Sequence, residues 1–261
     1  MSETKHLQKR KRSKSRKKVM VNLLNQGTVS NGLEIQLYLW MKEKADKYTF
    51  SFFEPTERPI SNNRNTITKK FLDGDWDILF MMDSDMAPLK NPFDLLDFDK
   101  DVIGLVYPGW GDNGIRFHVY KFSENYPKKI EFKQYLPEER EGLKKVNAIG
   151  TGGIAVKRSV LEAIKRPFED LFDDYGRLIT NDDLAFSHKC HQAGIEVWVH
   201  WDYLSHHFKN VDLLKVADLV MEAAATGVAA ISRPVLEWKY ETGADKDTSR
   251  DAKIKRDRNN R

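Results

Sequence analysis

Cysteine and long apolar runs are both scarce in this sequence. The single cysteine, Cys190, excludes an internal disulfide framework and is typical of proteins in a reducing compartment. No apolar run approaches the roughly 20 residues that a membrane-spanning helix needs. We therefore expect a soluble, cytoplasmic protein without a transmembrane segment.

The glycine patterns of the common nucleotide-binding motifs are also absent. Neither a G-x-G-x-x-G fingerprint nor a P-loop follows the first apolar run, and "NQGTVSNG" stands there instead. This excludes the usual dinucleotide-binding and P-loop kinase fingerprints.

Positive charge is concentrated at the N-terminus. Residues 1–18 hold nine lysines and arginines against one glutamate, whereas the remainder carries 34 basic and 38 acidic side chains. We predict a disordered basic tail over 1–18, a folded domain over 19–238 and a charged, disordered tail over 239–261. A basic tail of this kind binds nucleic acid or an anionic surface through counterion release, or it only increases solubility.

Apolar runs alternate with helical patterns along the rest of the chain. Asn31 and Glu34 have the spacing of a capping box before a helix, and residues 60–72 read as a polar loop entering a helix. Residues 109–146 predict a β-rich excursion or a flexible loop. We predict strands at Val19–Leu24, Tyr48–Glu54, Asp77–Met82, Asp101–Tyr107 and Ile195–Trp201, and later helices over 181–194 and 211–225. This order predicts an α/β fold in which helices cover a mostly parallel sheet.

Three groups of aspartates, each with its members two residues apart and called an aspartate ladder here, are candidates for a functional site. The ladders Asp73–Asp77 and Asp97–Asp101 precede predicted strands, where solvated turns are expected, whereas Asp83 and Asp85 follow one directly. Ligands of open α/β sheets bind outside the carboxyl ends of the strands. Mg²⁺ and Mn²⁺ take one or two carboxylates together with phosphate oxygens and water. Position therefore favours Asp83 and Asp85 as a metal site.

In this context the chain resembles the nucleotide-sugar-dependent glycosyltransferases of the GT-A fold, of the family 2 type, from about Val19 to about His207. Four segments carry the resemblance in the family's order: "NNRN", "ILFMMDSDMAP", "GTGGIAVKRSVLEAI" and "NDDLAFSHKCHQAGIEVWVHWDYLSHH". The resemblance implies a Rossmann-like single domain, a nucleotide-diphosphate sugar as donor and Mn²⁺ or Mg²⁺ as cofactor. The acceptor stays unknown.

The resemblance also implies roles for individual residues. Asp85 and His207 would bind the metal, with His206 as the rival histidine a few residues past the last predicted strand. Asp83 would contact the ribose, the donor sugar or the metal. Asp182 or Asp183 would be the general base, and the family's frequent Glu-Asp pair is replaced here by "NDD", which leaves the choice open.

Further residues would face the donor. Arg64 would steady the diphosphate, and Gln26, Gly27 and Glu54 would lie near the base and ribose. Gly152 and Gly153 would allow backbone amides to approach a sugar closely, because no Cβ intervenes.

Other interpretations compete with these roles. Carboxylates at positions 182 and 183 are favoured by a helix dipole without any catalytic role, and Arg64 has the pattern of a surface helix residue. A nucleotidyltransferase also places carboxylates at strand ends, although its usual glycine-rich basic loop is missing after the first strand. The basic tail fits a nucleic-acid-binding protein, or a transferase whose acceptor is nucleic acid.

Overall fold

A computed structural model describes residues 16–24, 32–111 and 114–209, together with residues 216, 220 and 221. The chain divides into two compact units, Met1–Asn210 and Val211–Arg261. The fold described below is that of the first unit. Residues 1–15 of the predicted basic tail, most of the predicted helix over 211–225 and the tail over 239–261 lie outside the described residues, so the predicted domain boundary at residue 238 stays a prediction.

Within the described residues, helices α1 to α4 span Leu33–Glu43, Ile60–Asp73, Arg158–Ala163 and Asp182–Gln192. Short 3-10 helices span Pro92–Phe98 and Pro137–Glu139. Strands β1 to β15 span Lys17–Leu24, Tyr48–Phe53, Ile78–Asp83, Met86–Pro88, Val102–Val106, Pro108–Gly111, Gly114–Phe117, Val119–Phe122, Phe132–Gln134, Leu143–Val146, Ala148–Ile149, Gly153–Lys157, Leu171–Phe172, Leu178–Thr180 and Val197–His207. None of the helices among these residues has the length and apolar character needed to cross a membrane.

The central sheet has the strand order β10-β15-β5-β12-β3-β1-β2, and β4 pairs with the end of β15. Strands β2, β1 and β3 are parallel, as are β5 and β15, whereas β12 runs against both β3 and β5. The edge strand β10 is also antiparallel to its neighbour. The predicted α/β class, with a mostly parallel central sheet flanked by helices, is confirmed.

The sheet is buried on both faces, which explains the continuous apolar runs of its central strands. On one face, Val19 and Val21 of β1 pack with Leu37 of α1 and with the 3-10 helix Pro92–Phe98. On the other face, Met20 and Leu24 pack against Ile67 and Phe71 of α2. Burial of each such side chain contributes about 1.5–3 kcal/mol. The two layers hold the carboxyl ends of β1 and β3 in fixed positions.

Helix α2 begins earlier than expected, at Ile60 after Pro59, so the segment predicted as a loop is already helical. Proline has no backbone N–H group, and a helix needs none at its first positions, which explains why Pro59 stands at the N-cap. At the other end of α2, the Arg158 guanidinium donates hydrogen bonds to the carbonyls of Phe71 at 2.8 Å and Gly74 at 2.6 Å. These bonds satisfy carbonyl groups that a helix end leaves without partners.

The expected capping box of α1 is wrong. The helix starts at Leu33, and its N-cap is Gly32 at φ 76°, without a side-chain hydrogen bond. Asn31 therefore precedes the cap position, and it lies outside the described residues. A left-handed backbone at the cap favours glycine, which has no Cβ.

The last strand is longer than predicted. Strand β15 runs to His207 instead of ending at Trp201, with a register irregularity against β5 between Val199 and Leu204. Beyond it, the strand pairs with β4, where His207 lies opposite Met86. Pairing with a distant short strand leaves no signal in the local sequence.

The two aspartate ladders at the amino ends of strands are engaged by lysines. Lys18 pairs with Asp75, while Asp97 lies 2.8 Å from Lys44. Lys17 and Lys157 reach the same ladder as Asp97 through Asp99 and Asp101, at 2.8 and 3.0 Å. Strand β1 begins at Lys17, so the last two residues of the predicted tail belong to the sheet. Asp73 ends α2 and Asp97 lies in the 3-10 helix Pro92–Phe98, whereas the other ladder aspartates lie in the segments between elements, where turns were expected.

Candidate active site

Asp83 and Asp85 lie at the carboxyl end of β3, in the turn that leads to β4. The backbone amide of Asp83 donates to the Gly152 carbonyl at 2.8 Å, and that of Ser84 donates to the Leu24 carbonyl at 3.1 Å. The turn is therefore tied to β1 on one side and to the start of β12 on the other. With the turn held in this way, the carboxylates of Asp83 and Asp85 contact different partners, Arg64 and His207.

Asp83 faces α2 and contacts Arg64. The Arg64 Nη2 atom lies 3.2 Å from Asp83 Oδ1, while Nη1 lies 2.6 Å from Asp182 Oδ2. The guanidinium is 5% exposed and bridges the two carboxylates. Burial raises the pKa of Asp83 above its usual range, against the opposing charge of Arg64. Arg64 is thus a buried bridge rather than a surface helix residue.

Asp182 and Asp183 occupy the first turn of α4. Asp182 is bonded to Arg64, and its own amide donates to Asp170 Oδ1 at 2.8 Å. Within the described part of the chain, the Asp183 carboxylate accepts a hydrogen bond from one group, the neighbouring amide of Leu184 at 2.7 Å. Burial, together with the negative charge of Asp182, raises the pKa of Asp183 to about 6, although Arg64 opposes the shift. The two aspartates are chemically distinct: Asp182 is ion-paired, whereas Asp183 has a pKa close to neutrality.

Asp85 faces the end of β15 on the other side of the turn. Its backbone carbonyl accepts from the Phe208 amide at 2.8 Å, and its Oδ2 atom lies 3.5 Å from His207 Nε2. Lys209 forms an ion pair with the same oxygen. Burial on its own would raise the pKa of Asp85, but hydrogen bonds from His207 and Lys209 bring it below its usual range. Asp85 is therefore a carboxylate held among cationic groups.

The orientation of His207 is set by a backbone carbonyl. Its Nδ1 donates to the Pro108 carbonyl at 2.8 Å, so Nε2 is the nitrogen that faces Asp85. Nε2 donates to that carboxylate when the ring is protonated, and it would offer its lone pair to a metal cation when the ring is neutral. A carbonyl that fixes the tautomer in this way is typical of metal-binding histidines. Because adjacent strand residues point to opposite faces, His206 lies on the other face of β15.

The donor set fits a divalent cation held by few protein ligands. Across the described ranges, no three His, Cys, Asp or Glu side chains converge as a metal cluster, and Asp85 with His207 form a pair. A carboxylate oxygen and a neutral imidazole nitrogen suit Mn²⁺ or Mg²⁺ when phosphate oxygens and water supply the other ligands. The Lys209 ammonium is paired with Asp85, so a metal ion would compete with it for this carboxylate. Asp83, bonded to Arg64, stands apart from the pair.

The glycines after β11 have a packing role that the sequence did not indicate. A Cβ added at Gly150 would lie 2.1 Å from the Tyr107 hydroxyl, and one at Gly152 would lie 2.9 Å from Tyr107 Cζ. At Gly153 it would lie 2.5 Å from Leu105 Cδ1. Gly150 and Gly152 thus leave room for Tyr107, and Gly153 leaves room for Leu105. The predicted approach of Gly152 and Gly153 to a sugar stays a prediction.

Tyr107 and His118 are the site residues that sequence reasoning missed. The Tyr107 hydroxyl accepts from the Gly152 amide at 2.9 Å, and its ring lies 5.1 Å from His207 and 5.0 Å from His118. Burial lowers the pKa of His118 to about 4. No motif contains either residue; the only available signal was the aromatic end of the strand "DVIGLVY".

The remaining predicted donor residues are placed only in part. Glu54 follows the edge strand β2 and is exposed, at the same end of the sheet as Asp83. Gln26 and Gly27 lie outside the described residues.

Comparison with known proteins yields distant likenesses. No family model matches the sequence, and no curated protein matches it significantly. Among solved structures, the chain is similar to A197 from STIV, with a TM-score of 0.47 and 19% identity over 74% of this chain and 86% of that chain. It is similar to the inositol-1-phosphate CTP transferase from T. maritima, with a TM-score of 0.38 and 10% identity over 79% and 96%.

A third likeness is to the nucleoside-diphosphate-sugar pyrophosphorylase from Vibrio cholerae RC9, with a TM-score of 0.29 and 10% identity over 70% of this chain and 72% of that chain. The last two proteins are enzymes named for nucleotide substrates. At TM-scores below 0.5 these likenesses carry no argument about function.

Proposed function

We propose that this protein is a metal-dependent glycosyltransferase that moves a sugar from a nucleotide-diphosphate sugar to an acceptor hydroxyl. The observation that carries the proposal is the meeting of Asp85 and His207 at the carboxyl end of β3, with 3.5 Å between Oδ2 and Nε2. The likeness of the segments around these residues to GT-A glycosyltransferases, from about Val19 to about His207, supports the choice of reaction.

Asp85 and His207 would hold Mn²⁺ or Mg²⁺. When bound there, the cation would neutralise the diphosphate leaving group. Asp83 would contact the ribose or the donor sugar. Arg64, bonded to Asp83 and Asp182, is a positioning residue in this proposal, since it fixes the carboxylates of two separate segments.

Asp183 is the general base in this proposal. Asp182 is engaged by Arg64, whereas Asp183 has a raised pKa of about 6 and lacks an ion pair with any described residue. Its carboxylate would take the proton of the acceptor hydroxyl as the oxygen bonds to the anomeric carbon. The bond between that carbon and the diphosphate oxygen breaks, and its electron pair leaves with the diphosphate.

A binding experiment tests the proposal. Titration of uridine, guanosine, cytidine and thymidine diphosphates with Mn²⁺ should give calorimetric binding of at least one of them, and the corresponding nucleotide sugar should be hydrolysed slowly. Asp85→Asn and His207→Ala should lose the Mn²⁺-dependent part of the binding. Asp75→Asn is the matched control, because Asp75 lies at the amino end of the sheet in an exposed pair with Lys18.

Absence of nucleotide binding in the native protein would refute the proposal. Release of pyrophosphate from a nucleoside triphosphate, without sugar transfer, would indicate a nucleotidyltransferase instead.

Two additions to the proposal concern the basic segment over 1–18 and the cellular compartment of the protein. A nucleic-acid acceptor would use this segment as a tether, so deletion of residues 1–15 should then weaken transfer in a salt-dependent way. Cys190 is a buried free thiol, which fits the reducing cytoplasm. Transfer to nucleic acid that is unchanged by the deletion would refute the tether.

A further inference from the structure

A groove with a volume of about 390 Å³ lies beside the first turn of α4. Its walls include Arg116 of β7, Tyr120 of β8 and Phe132 of β9, and it also reaches Leu184, the residue after Asp183. This volume is within the range of small-molecule sites, about 300–1,000 Å³. The groove therefore offers space for a ligand next to the proposed base.

Among the described residues, the charges around the groove leave one positive charge, on Arg116, without a paired carboxylate. Glu131 is paired with Lys129, and Lys133 is paired with Glu124. The hydrogen bond from Lys129 lowers the pKa of Glu131 to about 2, so this pair is fully ionised at neutral pH. Arg116 is exposed, and no carboxylate in the described part of the chain pairs with it. The described residues that line the groove thus carry a net positive charge, at Arg116.

Aromatic rings form an apolar wall of the same groove. Tyr120 is 5% exposed, and its ring centroid lies 5.9 Å from that of Phe132. Burial raises the pKa of Tyr120, the charge of Arg116 opposes this shift and the charge of Asp183 adds to it. Tyr120 is therefore close enough to both Arg116 and Asp183 for their charges to act on its hydroxyl.

We propose that this groove binds the acceptor, and that the acceptor is an anionic sugar whose carboxylate or phosphate pairs with Arg116 while a hydroxyl reaches Asp183. The inference rests on the proposed glycosyltransferase function. A planar guanidinium binds either anion through two hydrogen bonds, and the rings of Tyr120 and Phe132 cover the apolar face of the sugar. A nucleic-acid strand is less suited, because it requires a track of basic side chains along its backbone and this groove has one uncompensated charge.

Binding of three probes to the full chain tests the inference. Methyl β-glucuronide carries a carboxylate, glucose 6-phosphate carries a phosphate, and methyl β-glucoside is neutral. We expect at least one anionic probe to bind about tenfold more tightly than the neutral one at low salt, as a charge-assisted hydrogen bond predicts. The preference for one anion identifies the acceptor group, and it should weaken as salt is raised.

Variants of exposed arginines provide the controls. Arg116→Gln should abolish the preference for the anionic probe, and Arg116→Lys should keep part of it. Arg177→Gln is the matched control, because Arg177 is exposed and lies outside the groove, in a pair with Asp173; it should keep the full preference. Equal binding of charged and neutral probes, or a preference that persists in Arg116→Gln, would overturn the inference.

Failure of the acceptor inference can be distinguished from failure of the proposed function. Mn²⁺-dependent binding of the nucleoside diphosphate is measured on the same preparations. If that binding is present while the probes bind equally, only the inference about the acceptor fails. If the native protein binds no nucleotide, the proposed function fails, and the groove is then no acceptor site. A single-stranded oligonucleotide that binds more tightly than both anionic sugars, and loses binding in Arg116→Gln, would overturn the assignment to a sugar.

Discussion

The guanidinium of Arg64 donates a hydrogen bond to Asp182, with 2.6 Å between Nη1 and Oδ2. Both side chains are nearly inaccessible to solvent, and the same guanidinium also reaches Asp83. This contact joins the first turn of α4 to the end of β3. Two segments that are remote in the sequence thereby share one buried cation.

Loss of this cation should destabilise the fold strongly. Arg64→Met is expected to lower the free energy of unfolding by about 3–5 kcal/mol, because it leaves Asp83 and Asp182 without their counter-charge. Urea unfolding monitored by circular dichroism measures this difference. Lys69→Met is the control: Lys69 forms an exposed pair with Asp73 on the same helix, and its loss should cost less than about 1 kcal/mol. Equal effects of the two changes would contradict the structural role of Arg64.

The pH dependence of sugar transfer should report on Asp183. A general base acts when it is ionised, so kcat/KM should rise with pH through about 6, the raised pKa of Asp183, and reach a plateau above it. Asp183→Asn should lower kcat by about 10²–10⁴-fold and remove this rise. A profile that keeps its rise near pH 6 in the variant would assign the base to another group.

The stability of the same variant should change with pH in a defined direction. The folded-state pKa of Asp183 is raised by burial to about 6, so the folded protein binds this proton more tightly than the unfolded chain. The stabilising contribution of the protonated group is present at low pH and is lost as pH rises through about 6. Asp183→Asn should therefore gain roughly 2–3 kcal/mol relative to the native protein between pH 3 and pH 8. Denaturant unfolding at the two pH values measures it, and an unchanged difference would contradict the raised pKa.

Binding of Mn²⁺ should depend in opposite ways on the groups around Asp85. Asp85→Asn should weaken binding by at least about tenfold, since even groups that support metal ligands have effects of this size. Lys209→Met should strengthen it about two- to fivefold, because the half-exposed ion pair with Asp85 no longer competes. Electron paramagnetic resonance of free Mn²⁺ measures both affinities without any activity assay. Weaker binding in Lys209→Met would assign Lys209 a supporting role.

The enclosure of Tyr107 predicts a non-additive pair of substitutions. Gly150→Ala places a Cβ 2.1 Å from the Tyr107 hydroxyl and should cost about 1–3 kcal/mol. Tyr107→Phe should also destabilise, because the Gly152 amide loses its acceptor. The double variant should be more stable than the sum of the two effects predicts, by about 0.5 kcal/mol or more, since the hydroxyl that meets the new Cβ is gone. Additive effects in thermal unfolding would contradict the contact.

Part of this site was accessible from the sequence. The apolar run "ILFMM" predicted a buried strand, and the position of Asp83 and Asp85 after it separated them from two similar ladders. The structure agrees, because the other ladders lie at amino ends in salt bridges with lysines such as Lys18 and Lys44. Strand polarity was a sufficient guide, since it follows from the order of elements.

Other parts of the site could not be read from the sequence. The proposed choice of Asp183 over Asp182 as the general base rests on which carboxylate contacts Arg64, and "NDD" carries no information about that contact. The proposed preference for His207 over His206 as the metal ligand is argued from the pairing of β15 with β4 and from the carbonyl of Pro108. Tyr107 belongs to no motif, and its importance follows from the glycines that enclose it.

The sequence by itself determined the class of the fold, the two-sided burial of β1 and β3, and the strand end at which carboxylates accumulate. Apolar periodicity records which faces of an element are buried, and this is a local property. The tertiary structure decided which carboxylate is ion-paired, which is left near neutrality and which faces a histidine. Those differences depend on hydrogen bonds and desolvation between segments that meet only when the chain is folded.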